Sequence, residues 1–213
     1  MYPMQASEVL DSMLNLADST LRTLFAPAHS ARQPDLPADT GELTAEERRH
    51  AAALMRVNHA GEIAAQGLYR GQAALSRSRD TREFLEHSAD AEADHLAWCE
   101  SRLRELQSRP SWLNPFWYRG SFGLGAAAAV LGDAVSLGFM TETEKQVEGH
   151  LASHLDRLPA ADVRSRRIVE IMKSEEAGHG SAARARGATE LPPPVPALMR
   201  VAARVMTGAA YWI

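Results

Sequence analysis

Apolar residues recur along most of this chain with the 3.6-residue period of an amphipathic helix, and no stretch alternates with period two for long enough to make a strand. From Ser7 to Phe25 the residues Val9, Leu10, Met13, Leu16, Leu21 and Leu24 repeat at one-turn spacings, with acids on the other face. A linker from Ala26 to Gly41 follows, marked by Pro27, Pro34 and Pro37. Four long helical segments come next. The first opens at Thr44 with the capping box Thr44-x-x-Glu47 and runs to about Arg77; the second opens at Asp80 and runs to about Gln107. Arg109–Gly120, with Pro110, Pro115 and a cluster of aromatic residues, reads as a break. The third segment spans about Ser121 to Leu158, kinked or interrupted near its glycines, and the fourth about Ala161 to Ala188. Pro192–Pro194 then stop the chain before a last amphipathic helix, about Pro196 to Ile213. The pattern predicts an all-α protein, a four-helix bundle with one additional helix at each end. Its division is 1–42, the N-terminal helix and linker, and 43–213, the bundle with its C-terminal helix.

Composition removes several alternatives. A chain of 213 residues, 45% hydrophobic, supports one domain with a full core. A net charge of −4 supplies no basic field for nucleic acid. Cys99 is the sole cysteine, so intramolecular disulfides and cysteine-cluster metal sites are out. No secretory or mitochondrial leader is visible, because acids interrupt the first 25 residues. Ser121–Met140 is the most apolar stretch, but it contains Asp133 and runs into charged residues, so it is expected to be a buried bundle helix rather than a membrane span.

The candidate chemistry lies in an internal repeat. Glu92-Ala-Asp-His95 sits on the second segment and Glu176-Ala-Gly-His179 on the fourth. Each Glu-x-x-His places a carboxylate and an imidazole on one helical face. Glu62 lies thirty residues before Glu92, and Glu144 thirty-two before Glu176. A glutamate from each of two helices plus Glu-x-x-His from the other two is the donor set that holds two iron ions in ferritin-like bundles. Without cations, four buried glutamates would repel one another and be costly to desolvate.

Several neighbours compete or assist. Glu148, one turn from Glu144, and Glu175, i+4 from His179, are rival ligands. His59, His150 and His154 lie near the site in register, with His154 also fitting a polar face. Tyr69, two turns after Glu62, fits either a substrate channel or the core, and Cys99 fits the core. A third pair, Glu47-x-x-His50, lies about 18 Å from Glu62 on a straight helix and reads as a solvated capping turn.

The segments Leu54-Met-Arg-Val-Asn-His-Ala-Gly-Glu62, Glu92-Ala-Asp-His-Leu96, His150-Leu151 through Asp156-Arg-Leu-Pro159, and Glu176-Ala-Gly-His179 together resemble the demethoxyubiquinone hydroxylases of ubiquinone biosynthesis over about Leu43 to Ile213. The resemblance implies a ferritin-like di-iron monooxygenase. Its substrates would be O2 and a polyprenylated benzoquinol. Its metal ligands would be Glu62, Glu92, His95, Glu144, Glu176 and His179. Asn58 departs from the acid often found there, which bears on the charge around the ligands. The resemblance also implies a peripheral protein on the cytoplasmic face of a bacterial membrane, working beside other ubiquinone-biosynthesis proteins. The terminal helix, with Arg200 and Arg204 one turn apart and Tyr211-Trp212-Ile213 at its end, suits such a surface. A ferritin-like iron-oxidising or storage protein is the runner-up, and it would need no lipid-facing surface. A rubrerythrin-like peroxidase would need a Cys-x-x-Cys site, which one cysteine excludes.

Overall fold

The computed structural model describes residues 6–38 and 41–213 and, within these, all side chains but those of 6–9 and 12. The side chain of Val9 in the first predicted helix, and Asp39 and Thr40 of the linker, therefore fall outside the description. Seven helices are present among the described residues: α1 (Ala6–Phe25), α2 (Ala45–Leu75), α3 (Arg79–Glu105), α4 (Asn114–Val130), α5 (Asp133–Arg157), α6 (Val163–Ala185) and α7 (Pro194–Trp212). No strand occurs among them. The bundle consists of α2, α3, α5 and α6. The short turns after α2 and after α5 fold them into two helical hairpins, α2–α3 and α5–α6.

The helix starts follow local chemistry. Thr44 closes the predicted capping box with Glu47, satisfying otherwise unpaired N–H groups at the head of α2. Ser78 and Asp162 cap α3 and α6 through their side-chain oxygens. Asp162 also binds buried Arg102 of α3 at 2.8 Å, and Arg102 donates to Ser165 at 2.9 Å. This buried pair fastens the end of α3 to the start of α6. Removing one partner would strand a charge at a cost of about 3–5 kcal/mol.

The third predicted segment is in fact two helices. Gly132, at φ +115°, interrupts it between α4 and α5 in a backbone region that L side chains avoid. The expected break at Arg109–Gly120 ends early, because α4 begins at Asn114 with Pro115 in its first turn. A proline there starts a helix rather than stopping one, since its missing N–H would have had no partner. Nor does α4 lie inside the bundle, as the apolar run suggested. It packs along the outside of α2 and leaves Phe116, Leu124 and Val130 exposed. Contact is close because Gly67 and Gly71 of α2 meet the backbone of Tyr118 and Phe122, and Gly125 of α4 meets that of Leu68. A Cβ at any of the three would lie within 2.5 Å of a carbonyl oxygen.

Two apolar layers fill the bundle. One gathers Leu54, Met55, Trp98, Cys99, Leu151 and Met172; the other gathers Leu68, Leu85, Leu137, Met140 and Ala183. On each helix the candidate ligands fall between these layers in sequence, so the polar cluster is sandwiched by hydrophobic packing. The outer helices carry the exposed apolar side chains: Leu10, Met13, Leu14, Leu21 and Phe25 on α1, and Leu198, Val201, Val205 and Trp212 on α7. Among the described residues, no helix is long and apolar enough to cross a membrane.

Candidate metal centre

The six repeat residues meet at the middle of the bundle, one or two from each helix. They form two overlapping groups of donor atoms, each within 4.8 Å: Glu62, Glu92, His95 and Glu176, then Glu92, Glu144, Glu176 and His179. Glu92 and Glu176 belong to both. Glu92 turns Oε2 to His95 Nδ1 at 3.0 Å and Oε1 to His179 Nδ1 at 3.1 Å. Glu176 turns Oε1 to His95 Nδ1 at 3.1 Å and Oε2 to His179 Nδ1 at 3.4 Å. Each of these carboxylates thus gives one oxygen to either half. Glu62 and Glu144 each serve one half, at 3.8 Å from His95 Nδ1 and 3.9 Å from His179 Nδ1.

The donor atoms are those a pair of cations would use. Both oxygens of Glu92 and the Nδ1 atoms of His95 and His179 are buried without a hydrogen-bond partner among the described residues. Buried polar atoms left unpaired cost about 1–3 kcal/mol each, and more when charged. Four carboxylates and two imidazoles supply hard oxygen and borderline nitrogen ligands, a set suited to two divalent first-row ions. Protein chemistry alone leaves the charges in conflict. Burial raises the Glu62 carboxyl to about 8, with the nearby charges of Glu92 and Glu176 adding to the rise and His95 opposing it. Burial, then the Glu176 and Glu92 charges, push Glu144 well above the carboxylate range. Burial opposes a charge on His179, yet the facing carboxylates of Glu176 and Glu92 hold its pKa up at about 10.

The rivals are sorted by position. Glu148 stays outside both groups and Glu144 is buried within one. Glu175 is outside the groups too, but it accepts from His95 Nε2 at 2.9 Å, on the far side of the ring from Nδ1. Tyr69 is wholly buried and donates its hydroxyl to Glu144. It therefore holds a candidate ligand rather than simply packing. Cys99 is a core residue, with its thiol facing Met172. The three histidines set beside the site by register lie elsewhere. His59 contacts Asn114 at 3.3 Å, and His150 and His154 lie against each other with rings tilted by 57° and centroids 4.0 Å apart. His154 is buried, not on a polar face, because α5 turns it inward one layer beyond the cluster. His50 is no solvated capping residue either: it binds the Tyr211 hydroxyl at 2.7 Å and Arg157 O at 3.0 Å, tying α2 to α7. Asn58 is buried beside Met55, and its Oδ1 has no partner among the described residues.

Periodicity missed Arg32. It lies in the linker, where no repeat or helical register applies, yet its guanidinium reaches both Glu175 and Asp94. Ile63 and Leu96, which directly follow Glu62 and His95, line a cleft of about 480 Å³. Thr23–Ala28, Arg109–Trp112 and Asn114–Pro115, with His59 and Glu100, form its other walls.

Residues 49–210 match the family described as ubiquinone biosynthesis protein COQ7. The chain is 56% identical over 208 residues to 3-demethoxyubiquinol 3-hydroxylase from Variovorax paradoxus (strain S110), covering 97% of this chain and 100% of the relative. It is 53% identical over 204 residues to the protein of that name from Chromobacterium violaceum, covering 95% and 99%. To the one from Polaromonas naphthalenivorans (strain CJ2) it is 54% identical over 205 residues, covering 96% and 98%.

Proposed function

This chain belongs to the COQ7 family of ubiquinone biosynthesis proteins, and from that footing we propose that it hydroxylates the ring of a demethoxyubiquinol with O2, using two irons. The activity is that of a 3-demethoxyubiquinol 3-hydroxylase. The observation that carries the reading is the pair of shared carboxylates, Glu92 and Glu176, each turned with one oxygen toward either histidine. Glu62, Glu92, His95 and Glu176 hold one iron, and Glu92, Glu144, Glu176 and His179 the other. Two such irons, when bound and reduced, would supply the redox chemistry by which one atom of O2 is added to a ring and the other leaves as water.

The chain's own residues do the rest. The apolar layers above and below close the cluster off along the bundle. Tyr69 fixes Glu144 through its hydroxyl. The cleft beside Ile63 and Leu96 takes the quinol ring, a volume within the usual range for small-molecule sites. Its rim carries Phe25 and Trp112, both exposed, from which the polyprenyl tail extends to lipid. The exposed apolar side chains of α1, α4 and α7 suit a protein lying on the cytoplasmic face of a bacterial membrane, with Trp112 and Trp212 at headgroup depth. The same surface suits contact with other proteins of ubiquinone biosynthesis. An iron-storage role has no counterpart in the relatives' names and leaves that surface unexplained.

The test is single turnover. Reduced, iron-loaded protein mixed with O2 and a demethoxyquinol should give a product heavier by one oxygen atom. Return of unchanged quinol together with iron oxidation would point to the storage reading instead. Flotation with anionic liposomes tests the surface: full-length protein should co-float, and protein truncated before Pro196 should bind less.

A further inference from the structure

The linker is a strap across the metal-binding layer, and its contacts centre on Arg32. The guanidinium forks onto Glu175, Nη1 to Oε1 at 3.0 Å and Nη2 to Oε2 at 2.9 Å, while Nε binds Asp94 Oδ2 at 2.8 Å. Asp94 also accepts from Ser30 Oγ at 2.9 Å and from the Ala31 N–H at 2.7 Å. Trp98 lies under the guanidinium at 5.3 Å and donates its indole N–H to Ser30 and to Arg32 O. Every residue of this seat lies within a turn of His95 or directly before Glu176.

We propose that Arg32 is a positioning residue that clamps Glu175 onto His95 and so makes the Glu62/His95 half the tighter of the two metal positions. The inference rests on the di-iron reading above. A bidentate arginine–carboxylate pair fixes orientation as well as charge. With Glu175 fixed to accept from Nε2, His95 would present Nδ1 as a donor atom to a cation set among the Glu62, Glu92 and Glu176 oxygens. A carboxylate behind a metal-binding histidine orients the ring and makes it a stronger donor.

The internal repeat supplies the comparison. Shifted by the 84 residues that separate Glu92 from Glu176, Glu175 corresponds to Ala91, Asp94 to Gly178 and Trp98 to Ala182. None of these counterparts can hold an arginine or accept from an imidazole through its side chain. The clamp serves His95 alone.

The experiment is anaerobic Fe(II) competition against a chromogenic chelator, using the full-length protein, with near-infrared circular dichroism to follow each iron. Wild type should bind two Fe(II), one more tightly. Arg32→Ala and Glu175→Gln should weaken the tighter iron by about 10–100-fold, shift its bands and leave the other iron as it was. Arg32→Lys, which keeps the charge and loses the fork, should fall between Arg32→Ala and wild type. Unchanged affinities in Arg32→Ala would overturn the inference, as would equal weakening of both irons with a lower metal-free melting temperature. Wild type that binds no Fe(II) would instead overturn the di-iron reading itself.

Discussion

The half of the cluster built on Glu62 and His95 lies deeper than the half built on Glu144 and His179. The His95 side chain is 1% exposed and that of His179 is 24% exposed. Behind His95 stand Glu175 and the Arg32 strap, whereas the second half takes its outer support from Tyr69, acting through Glu144. Both halves share Glu92 and Glu176 and the same Glu-x-x-His spacing. Equal donors therefore do not make equal sites. The two imidazoles differ instead in what surrounds them: His95 is closed to solvent with Glu175 at its Nε2, and His179 is partly open.

The shared carboxylates give the largest expected effect, because they abolish the comparison. Glu92→Ala or Glu176→Ala takes an oxygen from both halves, so iron content should fall from two toward zero and turnover should disappear. His95→Ala or His179→Ala should each leave about one iron. Metal analysis and single-turnover product mass read both, and two irons retained in Glu92→Ala would break the bridging assignment.

Glu144 against Glu148 separates a ligand from a neighbour one turn away. Glu144→Gln should lose iron from the His179 half and keep the His95 half. Glu148→Gln should retain both irons and near-normal turnover. Iron absorption spectra of the two variants decide it, and the opposite result would move the ligand by one turn.

Tyr69→Phe sharpens the difference in support. It deletes the hydroxyl that Glu144 accepts from and leaves the packing in place. Both irons should remain, turnover should drop by about tenfold, and the spectral change should be confined to the His179 half. A change confined to the His95 half would reverse the assignment of supports.

The smallest effect is a control on the fold that should touch neither half. Asp133, at the start of α5, accepts from the N–H groups of Arg77 and Ser78 and from the Ser76 hydroxyl. Burial works against its charge, but these hydrogen bonds hold the carboxyl below its ordinary range. A depressed native pKa adds stability above the unfolded value, near 3.9, and that stability is lost as pH falls through the native value. Asp133→Asn should therefore cost about 1 kcal/mol at pH 7 and progressively less below about pH 4. Urea unfolding at the two pH values measures this, with iron content unchanged.

Much of this protein was legible along the chain because helices convert spacing into geometry. A residue three places on lies on the same face, so Glu92 and His95, and Glu176 and His179, had to be neighbours once their helices formed. The capping box at Thr44 and Glu47 and the interruption near the glycines of the third segment are local in the same sense. What periodicity left open was set by packing. Both Glu144 and Glu148 fit the register of α5, and only the contact with Tyr69 and the opposing helices selects one. His150 and His154 share that register too, yet lie a layer away from the carboxylates. The apolar run Ser121–Met140 was divided. Its first half became part of α4 on the outside of α2, because glycines on both helices permit an approach that bulkier residues would block. Its second half, from Asp133, became the start of bundle helix α5, with Leu137 and Met140 in the core. Arg32 is the clearest case: it belongs to an irregular segment, and its partners lie 62 and 143 residues away. The sequence by itself determined the helices and the donors they carry, since those depend on neighbours within a turn or two. Only the tertiary structure decided how the donors pair, which of them are supported and which side is open, because these depend on chain segments brought together by folding.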